Sequence, residues 1–209
     1  MDPIHSKSVI VYRQVKRAMR SGRYAPGERI DPARLASEFK TSATPVRFAL
    51  YRLVGEALIV DNARDGLHVP LLNEVALRDL YDWMERLLLM ACDIGEEPRL
   101  QASRTPEFAT VDSDPVKLTW QLFDAIARST AHGALHRAVK QANDQLAPIR
   151  RAKQGLLDDA HEELARLHQH WLARDMPALR AALHDYHDRR RQLVPRIVAL
   201  LSDHSGYAH

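Results

Sequence analysis

The stretch that decides the fold is 31–58, DPARLASEFKTSATPVRFALYRLVGEAL. Asp31 followed by Pro32 is typical of a helix start, and so is Thr44 followed by Pro45. After the second start, apolar side chains recur at the i, i+3, i+4, i+7 spacing of a buried helix face. These positions are Val46, Ala49, Leu50 and Leu53. The stretch therefore predicts two short helices joined by the polar turn KTSA, the layout of a helix-turn-helix, with a generic three-helix bundle as the alternative.

The flanking segments extend this pattern. Residues 9–21 (VIVYRQVKRAMRS) have apolar positions at helical spacing and predict a first helix, which Gly22 ends. Residues 58–72 (LIVDNARDGLHVPLL) contain two β-branched runs around NARDG, a turn signal in which Gly66 can supply a positive φ. This pattern predicts a β-hairpin with Arg64 and His68 at its tip. A hairpin that follows a helix-turn-helix is the wing of a winged helix, so we expect both side chains to reach phosphates or the minor groove.

Charge is divided unevenly along the chain. The 209 residues contain 30 Lys and Arg and 27 Asp and Glu, and residues 1–70 hold 12 of the basic and 7 of the acidic ones. The remainder therefore carries 18 basic against 20 acidic residues. A basic first third favours a polyanionic partner for that part of the chain.

Several protein classes are excluded by what the sequence lacks. No apolar run is long enough for a membrane helix and the N-terminus has no signal-peptide core, so we expect a cytoplasmic protein. The single cysteine, Cys92, excludes an internal disulfide and multi-cysteine metal sites, and its apolar surroundings predict burial. No phosphate loop, nucleophile elbow or HExxH motif is present. We therefore expect no enzyme, with a helical hydrolase or a metal-dependent enzyme as the alternative.

The N-terminal motifs carry a family resemblance. VYRQVKRAMRSGRYAPGERI (11–30), TPVRFALYRLVGEALI (44–59) and DGLHV (65–69), in this order and spacing, resemble the GntR family of bacterial transcription regulators across residues 9–70. The resemblance implies a winged helix-turn-helix DNA-binding domain over residues 1–72. It further implies a homodimer on a double-stranded palindromic operator, with the third helix in the major groove.

The face of the third helix opposite its apolar stripe is expected to contact DNA. Arg47 matches an arginine of the family motif and is expected to contact a guanine, or alternatively a phosphate or a surface carboxylate. Phe48 stands where a glutamate is common and Ala43 where an arginine is common, which implies an operator different from the family's usual one. Phe48 is expected against thymine methyls or beneath the wing, and Lys40 is either a phosphate contact or a solvated lysine. The predicted DNA-binding residues are Arg34, Lys40, Ser42, Thr44, Arg47, Phe48, Tyr51, Arg64, Gly66 and His68.

From residue 74 onward the pattern is helical. Residues 74–94 predict one helix with a broad apolar face, suited both to a core and to a partner subunit. Residues 95–113 predict mostly loop. Four further helices are predicted near 115–131, 134–154, 157–173 and 177–202, with Pro148 and Pro195 predicting kinks or early endings. The fold class is thus mainly α, a winged helix-turn-helix followed by an all-helical bundle over 73–209.

This helical run resembles the FCD-type effector domain of the FadR-like branch of the family. The resemblance implies a divalent metal held by one Asp and three His, but the four ligand positions fall on Thr119, Phe123, Leu164 and Tyr186. We therefore expect the metal site to be lost and no cofactor to be bound. The predicted pocket residues are Met84, Leu88, Thr119, Phe123, Leu164, Tyr186 and His187. They predict an apolar or aromatic small-molecule effector or, if they close into an ordinary core, a repressor that needs no effector.

Histidines in the last two predicted helices leave a metal alternative open. His184 and His187 are spaced i, i+3 on one helix, a pattern that can bind zinc. Scattered surface histidines are the other interpretation. Because His187 is adjacent to a family ligand position, a metal-binding sensor that uses His187 and its neighbours remains an alternative function.

Overall fold

The computed structural model describes residues 3–95 and 114–206, which divide into two compact units. The described residues that fall in Met1–Leu72, Ala147–Ala152 and Ala199–His209 form the first unit. Those that fall in Asn73–Leu146 and Lys153–Val198 form the second. We call them the N-terminal unit and the helical unit. The structure confirms the predicted fold class, because a small hairpin follows three helices and every later element is helical.

The N-terminal unit contains the expected elements in the expected order. These are α1 (Pro3–Arg20), α2 (Pro32–Glu38), α3 (Ala43–Gly55), β1 (Val60–Asn62) and β2 (Gly66–His68). The first helix begins earlier than the predicted 9–21. Asp31 caps α2 as predicted, since its side chain accepts a hydrogen bond from the Ala33 amide at 2.8 Å.

The core of the N-terminal unit is formed by the apolar faces of α1 and α3, with α2 packed against α3. Val15 and Met19 of α1 are buried, and so are Leu50 and Leu53 of α3. Burying one face of α3 in this way leaves its other face pointing to solvent, which is the property that a DNA-reading helix needs.

The hairpin after α3 is antiparallel, and Asp61 lies opposite Leu67 in its register. Gly66 has φ +80°, as its predicted turn role requires. The chain before α2 extends the pairing, because the Ile30 amide donates to the Leu67 carbonyl at 2.7 Å and the Val69 amide to the Glu28 carbonyl at 2.9 Å. β2 is therefore held on both of its edges.

The later elements are all helices. They are α4 (Glu74–Gly95), α5 (Pro115–Ser129), α6 (Gly133–Ala152), α7 (Ala160–Leu172), α8 (Met176–Gln192) and α9 (Val194–Gly206). Most of the predicted loop at 95–113 falls outside the described residues. Cys92 is buried, as predicted. The helical unit packs α4 against α5 and α8, and α7 against α5 and α8.

The two prolines expected to kink or end helices behave differently. The single helix expected over 177–202 is two helices, since α8 ends at Gln192 and α9 begins at Val194. Pro195 lies in the first turn of α9, where its missing N–H costs no hydrogen bond. Pro148, in contrast, lies inside α6, which continues to Ala152 rather than ending early.

Across residues 3–95 and 114–206, no helix combines the length and the apolar character required to cross a membrane.

Candidate nucleic-acid interface and helical core

The outward face of α3 carries the four side chains that the sequence analysis placed there. Thr44, Arg47, Phe48 and Tyr51 are all exposed. Phe48 retains 63% and Tyr51 57% of its full exposure, which is unusual for two aromatic rings one turn apart. Because Phe48 is this exposed, the alternative of a ring covered by the wing is wrong.

The start of α3 differs from the prediction by one position. Thr44 was expected to cap the helix, but α3 begins at Ala43 and Ser42 occupies the cap position with φ −79° and ψ 166°. The Ser42 side chain makes no capping hydrogen bond. The first amide groups of α3 are thus not capped by this hydroxyl, and such groups favour anions such as phosphate.

Basic side chains from α2 and the turn after it lie in the same unit. Arg34 is exposed on α2, and Lys40 is exposed just after it. Lys40 has φ +47°, because the chain turns sharply after the C-cap residue Phe39. Both side chains are available to solvent, which their predicted roles require.

The wing places Arg64 as predicted but not His68. Arg64 is exposed within the three-residue tip, whereas His68 pairs with Val60 at the base of the hairpin. The sequence analysis was wrong on His68 because β2 runs from Gly66 to His68 and carries it away from the tip. Its Nδ1 lies 3.0 Å from the Gly66 carbonyl oxygen, which fixes the ring against its own strand.

A cleft of about 940 Å³ opens beside the wing. Arg64 and His68 line it together with Arg29, an exposed residue that the sequence analysis did not single out. Arg29 pairs with His68 through a β-bridge, so the turn-rich segment before α2 delivers it to the wing. No local pattern in the sequence marks such a contact, because the two partners lie far apart along the chain.

A polar cluster fastens α1 to the C-terminal end of α3. The Tyr12 hydroxyl donates to Glu56 Oε1 at 2.7 Å, and Lys16 Nζ donates to Glu56 Oε2 at 2.6 Å. The Arg52 guanidinium lies 4.0 Å from the centre of the Tyr12 ring. This cluster, which the sequence analysis missed, sets the orientation of the helix that carries Arg47 and Phe48.

The charge state of Glu56 depends on these contacts. Burial acts to raise its pKa, but the hydrogen bonds from Lys16 and Tyr12 outweigh burial and lower it. Burial, together with the hydrogen bond to Glu56, raises the pKa of Tyr12. The cluster is therefore an ionised carboxylate held by a neutral phenol and an ammonium group.

A second ion pair holds the turn after α1 against α2. Arg23 donates from both terminal nitrogens to the Glu38 carboxylate, at 2.7 and 2.8 Å. The hydrogen bond from Arg23 lowers the pKa of Glu38. This bidentate pair connects the segment between α1 and α2, part of which pairs with the wing, to α2 itself.

Residues 7–69, which contain these features, match the family described as bacterial regulatory proteins, gntR family. This part of the chain is therefore similar to the DNA-binding domain of the GntR regulators. This chain is 41% identical over 59 residues to the Nta operon transcriptional regulator of Aminobacter aminovorans, an alignment that covers 28% of each protein. The uncharacterized HTH-type transcriptional regulator YdhC of Bacillus subtilis (strain 168) is 23% identical over 145 residues.

Two further comparisons extend beyond residues 7–69. The YdhC alignment covers 64% of this chain and 65% of that protein, so the chain spans less than two thirds of either curated relative. The solved structure of E. coli McbR/YncC superposes with a TM-score of 0.70 at 19% identity, covering 94% of this chain and 99% of that one.

The predicted pocket residues of the helical unit are all buried. Phe123, Tyr186 and His187 form one aromatic cluster, with the centre of the Phe123 ring 5.3 Å from that of Tyr186 and 6.0 Å from that of His187. The other members, each below 10% exposure, are Met84, Leu88, Thr119 and Leu164. These residues therefore lie in the interior, as predicted. Their burial is compatible both with a ligand pocket and with a filled core.

The proposed histidine pair does not converge. His187 is fully buried and its Nδ1 lies 2.7 Å from the Leu183 carbonyl oxygen, whereas the His184 side chain is largely exposed and its Nδ1 lies 2.7 Å from Glu85 Oε1. An i, i+3 spacing separates two residues by about 60° around a helix, enough here to point one inward and one outward. In the described part of the chain, no three His, Cys, Asp or Glu side chains are grouped to hold a metal ion.

The sequence analysis also missed a buried ion pair in the helical unit. Arg190 donates to both oxygens of Glu163, at 3.0 and 2.6 Å, and both side chains are less than 10% exposed. The Arg190 guanidinium carbon lies 3.2 Å from the centre of the Tyr186 ring. Burial alone would lower the pKa of Arg190, but Tyr186 and Glu163 raise it, so the buried guanidinium keeps its charge.

Proposed function

We propose that this chain is a transcriptional regulator, acting as a repressor, that binds a palindromic operator as a homodimer through its GntR domain in the bacterial cytoplasm. The observation that carries the proposal is the outward face of α3, where Arg47, Phe48 and Tyr51 are exposed while the opposite face is buried. A helix with one face buried and an exposed face of Arg and aromatic residues is suited to the major groove.

The side chains divide into base-reading and phosphate-contacting groups. Arg47 is proposed to contact a guanine through O6 and N7, and Phe48 and Tyr51 to contact thymine methyl groups. Residues around them are proposed to position the protein on the backbone without reading sequence. These residues are Arg29, Arg34, Lys40, Ser42, Thr44, Arg64 and His68, with Gly66 shaping the wing.

The proposed domains are a DNA-binding domain over 1–72 and a dimerisation and sensing domain over 73–209. The proposed ligand is a small apolar or aromatic molecule, because the predicted pocket residues are mainly apolar or aromatic. Such a ligand would regulate DNA binding by stabilising one of two arrangements of the dimer.

A repressor without an effector is the second candidate, favoured by the complete burial of the same side chains. A thermal-shift screen of aromatic and apolar compounds separates the two, because a ligand that binds only the folded protein raises its melting temperature. A compound that raises the melting temperature of the wild type but not of Phe123→Ala supports the effector. If no compound changes the melting temperature, the second candidate is favoured.

The DNA-binding proposal is tested on the operator itself. Genomic footprinting identifies the operator, and fluorescence anisotropy then compares it with a scrambled duplex at several salt concentrations. We expect Arg47→Ala to weaken operator binding about 10- to 100-fold while binding to the scrambled duplex changes little. Arg13→Ala is the matched control, since Arg13 is an exposed arginine on α1 that lies outside the proposed contact set.

Two results would contradict the proposal. One is a wild-type protein that binds operator and scrambled duplex with equal affinity. The other is an Arg47→Ala variant that retains full operator affinity, or that loses no more than Arg13→Ala does.

A further inference from the structure

Helix α4 has two faces of different character. One face is the core of the helical unit, where Leu77, Tyr81 and Leu88 are buried. The other face is exposed although it is partly apolar, with Val75 at 68%, Trp83 at 51% and Met90 at 49% of full exposure. Two exposed charged residues, Asp79 and Arg86, alternate with these apolar residues. We call this face the α4 stripe, and it consists of Val75, Asp79, Trp83, Arg86 and Met90.

The α4 stripe has the spacing of a helix-pairing seam. Successive members are four, four, three and four residues apart, which places all five within an arc of about 80° at 100° per residue. Steps of three and four residues are what keep a seam directed at a second helix. A partly exposed tryptophan in the middle of such a seam is the kind of residue that contributes most binding energy when a partner covers it.

The charges on the stripe remain available for a partner. Other charged residues along α4 are occupied within their own chain, since Asp82 pairs with Arg191, Glu85 with His184, and Asp93 with Arg180. Asp79 and Arg86, by contrast, form no ion pair anywhere in the described ranges.

From this arrangement we infer that a second copy of the chain pairs with the α4 stripe in antiparallel register, with Asp79 of each subunit against Arg86 of the partner. Along α4 the stripe has the order apolar, acidic, tryptophan, basic, apolar. When two copies of the stripe run in opposite directions, each apolar residue faces an apolar residue and each acidic residue faces a basic one. Val75 then lies opposite Met90, two Asp79–Arg86 pairs form, and the two Trp83 rings meet beside the twofold axis.

Charge complementarity selects the antiparallel register. In a parallel pair, Asp79 would face Asp79 and Arg86 would face Arg86, and like charges placed together across an interface are strongly unfavourable. The inference rests on the proposed homodimer and names the surface that forms it. Neither charge has a role in the buried core, so their substitution leaves the fold of the subunit intact.

The test is a charge reversal measured by sedimentation equilibrium on the full chain. Asp79→Arg and Arg86→Asp are each expected to weaken dimerisation at least about tenfold, and the double variant Asp79→Arg/Arg86→Asp to restore it to within about threefold of the wild type. Glu162→Arg, an equal reversal at an exposed site on α7, is the control and should leave the dimer unchanged. Circular dichroism verifies that every variant is folded.

Crosslinking tests the register separately. In a Cys92→Ala background, Val75→Cys and Met90→Cys proteins are mixed and treated with a short bismaleimide. The antiparallel register predicts that the mixture crosslinks and that neither protein crosslinks to itself, because the two Val75 positions would lie about 22 Å apart along the axis at 1.5 Å per residue.

Several outcomes would overturn the inference. Folded single variants that dimerise like the wild type, a double variant that stays as weak as the single ones, or self-crosslinking of Val75→Cys would each exclude this interface. If the wild type still binds its operator in the anisotropy assay, such a result would exclude the α4 stripe as the dimer interface and leave the proposed regulator function intact. A wild type that is monomeric on the operator would overturn the proposed homodimer itself.

Discussion

The two units of the molecule use their unusual residues in opposite ways. The N-terminal unit exposes Phe48, Tyr51 and Arg47 on one face of α3, whereas the helical unit buries Phe123, Tyr186 and an arginine–glutamate pair. An exposed aromatic and basic face has no function in folding, so it points to a partner. A buried cluster is explained equally by packing and by a ligand. The function of the exposed face of α3 can therefore be inferred more specifically than that of the buried cluster.

The largest expected effect is in the buried interior of the helical unit. Glu163→Ala should lower the free energy of unfolding by about 3 to 5 kcal/mol, because it leaves the Arg190 charge buried without its carboxylate. All three tryptophans, Trp83, Trp120 and Trp171, lie in the helical unit, so urea denaturation followed by tryptophan fluorescence reports on this unit alone.

Glu162→Ala is the control for this substitution. Glu162 is the exposed neighbour of Glu163 on α7, and its loss should change the free energy of unfolding by less than about 0.5 kcal/mol. Equal effects of the two substitutions would contradict the structural role of the buried pair.

A pair of substitutions on α3 sharpens the contrast between exposed and buried residues within one helix. Leu50→Ala removes a fully buried side chain and should cost about 2 to 5 kcal/mol of stability. Phe48→Ala should stay within about 0.5 kcal/mol of the wild type while weakening operator binding about five- to tenfold. Hydrogen exchange of the α3 amides measures the first effect and fluorescence anisotropy the second. A Phe48→Ala protein that loses stability instead of DNA affinity would contradict the outward role of this ring.

Two glycines of the N-terminal unit should respond to alanine with opposite signs. At both positions the methyl group of an alanine would have open space around it, so crowding does not explain either glycine. Gly66→Ala should cost about 1 to 2 kcal/mol because of its φ of +80°, and Gly55→Ala should stabilise α3 by up to about 1 kcal/mol. Thermal unfolding monitored by circular dichroism measures both. A stabilised Gly66→Ala protein would show that the wing does not depend on this turn.

The smallest expected effect concerns the cluster that orients α3. Glu56→Gln should lower stability by about 1 kcal/mol at pH 7, since it removes a partly buried ion pair with Lys16. Because the pKa of Glu56 is lowered in the folded state, its contribution is complete above the ordinary value of 4.5 and is lost as the pH falls through the folded value. Urea titrations at pH 7 and pH 3 should show the difference shrink, while exposed Asp61→Asn shows little difference at either pH. A difference that persists unchanged at pH 3 would exclude this carboxylate as its source.

Local patterns in the sequence were sufficient for much of the fold. The Asp31 cap, the buried stripe of α3 and the positive φ of Gly66 each depend on a few neighbouring residues, and the structure confirms all three. One-residue boundaries were less predictable, because Ser42 and Thr44 both suit a helix start and the backbone of Ser42 decides between them.

Features that depend on distant residues could not be predicted. Tyr12 meets Glu56 across 44 positions and Glu163 meets Arg190 across 27, and neither pairing leaves a periodic signal in the sequence. The sequence predicted that α4 suits both a core and a partner subunit, but not which of its residues stay exposed. Apolar residues occur on both sides of this helix, and only the packing of the helical unit shows which of them remain uncovered.

The claim on which the account depends is that Arg47 reads a base in the major groove. The most direct measurement is a double-mutant cycle between Arg47→Ala and operator duplexes in which single guanines are replaced by 7-deazaguanine, which lacks the N7 acceptor. The account predicts a coupling free energy of about 1 kcal/mol or more at one guanine of each half-site. Strictly additive effects at every guanine of the operator would contradict it.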